Sequence, residues 1–301
     1  MPRPVEKIAV LGLPTSRRPR QPEDFWLRVG PRLTARRFFH FAEIATVSAI
    51  FFWIAWIATP MLLTGGPRLF PLGLTLLTVV YVAYISPVLI HRETLASRGL
   101  GPAADLFLRK DNLAEAALLF GTATLSGGVL LLLVGAIMGL GPKFDFNLQT
   151  FSLRLLLYIP SAFFQDGLFF SFFLRRWQAV WGAAGAGGGP ERCQRGMATP
   201  WAINPWWLAI VSNTLLFSLY HLPNRPVMGL ALILGIVWGR IFSWTPNLLA
   251  AVLGHAVLGT VLHLCLKVST KIGSAYAAHH KGFYSVLCPF VEPFIAGRFQ
   301  W

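Results

Sequence analysis

Seven long apolar runs constrain this chain more than any other feature of its sequence. They occupy residues 39–63, 70–90, 113–139, 151–174, 206–222, 226–243 and 247–266. Crossing the hydrocarbon core of a bilayer takes about 20 apolar residues in a helix, so most of these runs are long enough to do so. Because backbone polar groups find no partner in lipid, the spans must be helices. The sequence therefore predicts an all-α fold, a multi-pass transmembrane helix bundle with about seven spans.

The composition supports this fold class. Hydrophobic residues make up 55% of the 301 residues and charged residues only 13%, whereas a soluble domain carries about 25% charged residues. The formal net charge of +14 would suggest nucleic acid binding in a soluble protein. Here the Lys and Arg residues lie mostly between the apolar runs, so we expect contacts with membrane lipids and no nucleic acid partner.

The apolar runs divide the chain into four parts. The predicted parts are a basic cytoplasmic or interfacial segment (1–38), three N-terminal spans (39–139), a core of four spans (150–266) and an interfacial tail (267–301). With the N-terminus inside, the inner segments hold eighteen Lys and Arg residues and the outer ones eight. This asymmetry predicts a cytoplasmic N-terminus, with the linker 182–200 on the same side. We expect an integral protein of the plasma or inner membrane of a prokaryote.

Four of the polar residues within or at the end of the predicted core spans are candidates for a site. Gln165 and Asp166 are adjacent in the fourth span, His221 ends the fifth, and His255 lies deep in the seventh. Ionisable groups are costly in lipid, so they usually face the bundle interior and mark functional sites. Two alternatives stay open, since a lone His can be a structural hydrogen-bond partner and Asp166 can be a buried, protonated acid. The acid and two imidazoles together favour a shared site.

Three short motifs carry a family resemblance. They are Gln165-Asp166-xxx-Phe170, Phe217-xxx-His221 and His255-xxx-Gly259, in this order on successive spans. In order, spacing and position they resemble Glu-Glu-xxx-Arg, Phe-xxx-His and His-xxx-Asn of the CPBP family of intramembrane proteases, which includes CAAX-processing and bacteriocin-related enzymes. The stretch 97–101, Ser-Arg-Gly-Leu-Gly, also looks like the short loop that precedes the family's core spans.

The resemblance implies catalysis of peptide-bond hydrolysis within the membrane. In the family an acid of the first motif activates water, and the His and Asn side chains position it and stabilise the oxyanion. Asp166 would be the base here, assisted by His221 and His255, while Gln165 would orient substrate or water. This chain departs from the motifs at Gln165, Asp166 and two further positions, where Phe170 replaces Arg and Gly259 replaces Asn.

The predicted function is that of an intramembrane endopeptidase acting on a membrane-associated protein or peptide. The alternatives are a catalytically inactive membrane scaffold that binds a peptide in the same cleft and, less favoured because no half-to-half repeat is visible, a proton-coupled transporter. We expect no cofactor. Two His and one carboxylate could hold Zn²⁺, but no His-Glu-x-x-His spacing is present, which disfavours a zinc site.

Overall fold

The computed structural model describes residues 31–58, 69–102, 108–137, 147–181, 204–264 and residue 266. Within these residues the regular structure is entirely helical, which confirms the predicted fold class. The linker 182–200, the tail 267–301 and most of the basic segment 1–38 lie outside the described residues, so the predictions made for them stay predictions.

Seven helical segments correspond to the seven apolar runs. α1 is Pro31–Trp53 with a π-helical end Ile54–Ala58; α2 is Leu69–Val80 with a π-helical end Tyr81–Ile90; α3 is Leu113–Ile137; α4 is Leu148–Asp166, a π-helical stretch Gly167–Phe173 and Leu174–Val180; α5 is Pro205–Leu219; α6 is Arg225–Trp244; and α7 is Leu248–Leu264. In the described part of the chain, five of these are long and apolar enough to cross a membrane, and α5 and α7 are shorter apolar helices. The protein is therefore a multi-pass integral membrane protein.

α5 ends earlier than the apolar run 206–222 predicts. It begins after Asn204, whose side chain accepts a hydrogen bond from the Trp206 amide, and its last residue is Leu219. His221 lies in the following turn, and Pro223 stands two residues beyond it. A proline disfavours helical backbone at the residue before it, which explains why the helix stops before the apolar run does.

The helices pack in a core formed by α3 to α7, in which α4 and α3 lie against α7 and α5 lies against α6. Glycines allow the closest approach. A Cβ at Gly235 would lie 2.9 Å from Thr214, and one at Gly239 would lie 3.2 Å from Ile210. This is the close crossing that small residues four apart permit in membranes.

The surface of the bundle is apolar. Leu118 and Leu125 on α3 are 69% and 73% exposed, and Leu69 on α2 is 89% exposed. Large apolar side chains in such positions are solvated by lipid tails. Polar groups gather inside the bundle instead, which is where the candidate site lies.

Candidate active site

Asp166 is positioned by a local change in helix geometry. It is the last residue of the regular α-helical part of α4, and the wider π-helical stretch Gly167–Phe173 follows at once. Such π-helical turns inside α-helices often occur at functional sites. The side chain of Asp166 is completely buried, so its carboxylate depends on protein partners rather than on bulk water.

That partner is His255 on α7. Nδ1 of His255 lies 2.8 Å from Oδ1 of Asp166, a hydrogen bond that joins α4 to α7 across the bundle. A carboxylate only accepts, so Nδ1 carries the proton and donates it. The His255 ring is then held in one orientation, with Nε2 as its remaining nitrogen.

His221 is held by the backbone of the preceding helix, α5. Its Nδ1 lies 2.8 Å from the carbonyl oxygen of Phe217, one turn earlier. Because a carbonyl can only accept, Nδ1 donates this bond, and Nε2 of the neutral ring is an acceptor. The ring also stands edge-on to Phe217, with ring centroids 4.9 Å apart.

Gln165, the fourth predicted site residue, is tied to its own helix. Its Nε2 donates a 3.1 Å hydrogen bond to Oγ of Ser161. The amide oxygen of Gln165 remains as an acceptor, but an amide cannot take up a proton as a carboxylate does.

A cavity of about 350 Å³ unites these groups. Its wall includes all four predicted site residues, Gln165, Asp166, His221 and His255. Most of the remaining wall is apolar and comes from α1, α3 and α6. The lining residues from these helices are Phe51, Ile54, Ala55, Leu131, Val227, Leu230, Ala231, Leu234 and Trp238. The predicted convergence of the four polar side chains inside the bundle is therefore present. Their catalytic role stays a prediction.

The two positions where the motifs lose a polar group are filled by aromatic rings. Phe170 is buried and packs against Phe217 and Phe242, with ring centroids 6.1 and 5.9 Å apart. At Gly259, a Cβ would lie 2.6 Å from the ring of Tyr158 and 2.8 Å from its hydroxyl oxygen. The space of the family's Arg and Asn side chains is thus occupied rather than empty.

A second buried polar cluster lies outside this cavity. Oε1 of Glu43 on α1 accepts hydrogen bonds from the Tyr81 hydroxyl at 2.8 Å and the Ser86 hydroxyl at 2.5 Å. Its Oε2 lies 2.7 Å from Nε2 of His91 and 2.9 Å from Nε of Arg176. The Arg176 guanidinium also pairs with Glu93. The cluster joins α1, α2 and the end of α4, and its function was not predicted from the sequence.

One group of described residues has spacing that could suit a metal ion. The ligand atoms of His40, Glu43 and His91 lie within 4.8 Å of one another. However, the guanidinium of Arg176 already contacts the Glu43 carboxylate, and this fixed cation opposes a second one at the same oxygen. The donor set therefore fits an ion-pair cluster better than a metal centre.

Fold and cavity together define a class: a multi-pass helical membrane protein with a buried carboxylate–imidazole pair facing an intramembrane cavity. Residues 147–261 match the family model described as type II CAAX prenyl endopeptidase Rce1-like. The match covers α4 to most of α7, including Asp166, His221 and His255, and it confirms the family resemblance. Neither a curated protein nor a solved structure matches the chain.

Proposed function

We propose that this protein is an intramembrane endopeptidase that hydrolyses a peptide bond of a membrane-associated protein or peptide. The observation that carries the proposal is the 2.8 Å hydrogen bond between Asp166 and His255 on the wall of a cavity that His221 also lines. The family match over residues 147–261 supports the same reaction class.

The pair offers a base for water activation. With Asp166 accepting from Nδ1, Nε2 of His255 is free to take a proton from water as its oxygen bonds to the scissile carbonyl carbon. The buried carboxylate stabilises the imidazolium that forms. As the tetrahedral intermediate collapses, the C–N bond breaks and His255 returns the proton to the leaving amine. His221, an acceptor at Nε2, would help to hold the attacking water. In this scheme the base is the Asp166–His255 pair rather than Asp166 alone.

The cavity suits an apolar substrate. α1 and α6 contribute aliphatic and aromatic side chains to its wall, and the polar groups are confined to α4, α7 and the turn after α5. Binding sites built this way bury apolar groups and orient them by a few polar contacts. The matching family is named for prenylated CAAX substrates, so a farnesylated peptide is the first substrate type to test.

The proposed orientation follows from the distribution of basic residues. Eighteen Lys and Arg residues against eight support a cytoplasmic N-terminus, and the membrane that we propose is a prokaryotic plasma or inner membrane. On this topology the linker 182–200 is also cytoplasmic.

The test is cleavage by the purified protein in proteoliposomes of a quenched fluorescent peptide that ends in a farnesylated CAAX sequence. In parallel, new peptide termini are mapped by mass spectrometry in membranes of cells expressing wild type or Asp166→Asn. We expect wild type to cleave the peptide. Asp166→Asn and His255→Ala should each lower the cleavage rate at least 10²-fold, because each variant disables the same Asp166–His255 pair. Phe163→Ala, at a half-exposed position of α4, is the control and should cleave normally.

Equal peptide turnover in wild type and both site variants, with equal termini in wild type and Asp166→Asn, would refute the proposal. Together with retained biological function, that result would indicate a non-catalytic scaffold that binds peptides in the cavity.

A further inference from the structure

Tyr158 occupies the place of a side chain that Gly259 lacks. Gly259 lies one turn after His255 on α7, and the Cβ of any other residue there would meet Tyr158 at 2.6 Å. The hydroxyl oxygen of Tyr158 lies 2.8 Å from that Cβ position. Tyr158 reaches it from α4, and its ring stands edge-on to His255 with ring centroids 6.0 Å apart. A hydroxyl therefore stands where the side chain of residue 259 would begin.

The site needs a hydrogen-bond donor that the two imidazoles do not supply. Hydrolysis places a negative charge on the carbonyl oxygen, and donors that point at it stabilise the transition state. In their neutral forms His221 and His255 use Nδ1–H for Phe217 and Asp166, so both rings present an acceptor. The Gln165 amide donates one of its two N–H groups to Ser161, and the Trp238 indole donates its single N–H to the Ala251 carbonyl.

We propose that the hydroxyl of Tyr158 donates the hydrogen bond to the oxyanion. Tyr158 lines the cavity, and a phenol with an ordinary pKa near 10 keeps its proton at neutral pH. Gly259 is then part of the same device, because only a residue without a side chain leaves room for the ring. This inference rests on the proposed endopeptidase activity and names a further catalytic residue for it.

Ser161 is one rival donor and provides the matched comparison. Its hydroxyl accepts from Gln165 and keeps one proton to donate. It lies one helical turn from Tyr158 and lines the same cavity. Removing either hydroxyl changes the wall by one oxygen atom, so a difference between Tyr158→Phe and Ser161→Ala reports on position and not on general polarity.

The first test is the rate of cleavage of the farnesylated CAAX peptide. We expect Tyr158→Phe to lower kcat by about 10²–10³, as loss of one oxyanion donor does, with KM changed less than threefold. Ser161→Ala should lower kcat at least tenfold less than Tyr158→Phe does. If Tyr158→Phe cleaves as fast as wild type, the inference about Tyr158 is overturned but the proposed function is not. If wild type does not cleave the peptide, both the inference and the proposed function are refuted for this substrate.

The second test moves the hydroxyl without deleting it. Gly259→Ala pushes the Tyr158 ring aside and should lower kcat about as much as Tyr158→Phe. The control is Gly121→Ala, where a Cβ meets nothing within 4 Å, and it should keep the kcat of wild type. Tyr158→Ala with Gly259→Asn places an amide donor in the vacated space and should recover at least tenfold over Tyr158→Ala alone. Wild-type cleavage by Gly259→Ala, or no gain in the double variant over Tyr158→Ala, would contradict the claim that the Tyr158 hydroxyl donates to the oxyanion from the space beside Gly259.

Discussion

Replacing Glu43 by Gln tests whether the second polar cluster holds three helices together. Glu43 and Arg176 are 5% and 1% exposed, and the carboxylate accepts from Tyr81 and Ser86 besides. The amide keeps the volume but removes the charge, so Arg176 is left with Glu93 as its only carboxylate within ion-pair distance among the described residues. Breaking a buried ion pair from one side costs about 3–5 kcal/mol when the other charge is left without compensation. Because Glu93 still pairs with Arg176, we expect the lower end of that range, about 3 kcal/mol.

The assay is thermal unfolding in detergent, monitored by tryptophan fluorescence. One kcal/mol shifts Tm by about 2–4 °C in chains of 150–250 residues, so Glu43→Gln should lower Tm by about 6–12 °C. The control is Asp111→Asn, which removes an exposed carboxylate paired with Arg109. Exposed pairs contribute little, so its Tm should match that of wild type. Equal Tm values for both variants would refute the reasoning, since the buried cluster would then contribute no more than a surface pair.

Three further predictions concern packing, metal and topology. Phe170→Ala should lower the free energy of unfolding by about 3–5 kcal/mol, because the ring is buried against Phe217 and Phe242; a loss no larger than that of Phe163→Ala would contradict this. A zinc chelator such as 1,10-phenanthroline should leave cleavage within twofold, and a large loss restored by Zn²⁺ would reverse the expectation of no metal. In a variant that keeps Cys193 but not Cys265 or Cys288, a membrane-impermeant thiol reagent should label the linker only from the cytoplasmic side. Labelling of Cys193 in intact cells would contradict the predicted topology.

The helices could be predicted because lipid solvation leaves the chain few choices. A long apolar run must pair its own backbone groups, so the runs gave the number of helices and approximate bounds. The end of α5 was predicted too late because the apolar run continues to residue 222, whereas the helix ends at Leu219. Pro223 disfavours helical backbone just before it.

The convergence of the polar residues inside the bundle was predictable for a related reason. Asp166, His221 and His255 had to avoid lipid, and the three motifs gave their order. The same rule applied to Glu43 in the first apolar run would have marked the second cluster, but its partners Ser86, His91 and Arg176 lie far away in the sequence. The meeting of Tyr158 with Gly259 depends on how α4 packs on α7, and no local pattern reveals it.

The central claim is that the Asp166–His255 pair directs water onto a peptide bond, and oxygen-isotope labelling tests it most directly. Proteoliposomes containing the protein and the farnesylated CAAX peptide are incubated in H₂¹⁸O, and the new carboxyl terminus is analysed by mass spectrometry. Hydrolysis places one ¹⁸O atom in that carboxylate, and the labelled product should form at least 10²-fold more slowly with Asp166→Asn than with wild type. Labelled product at equal rates with both proteins, or none with either, would contradict the account.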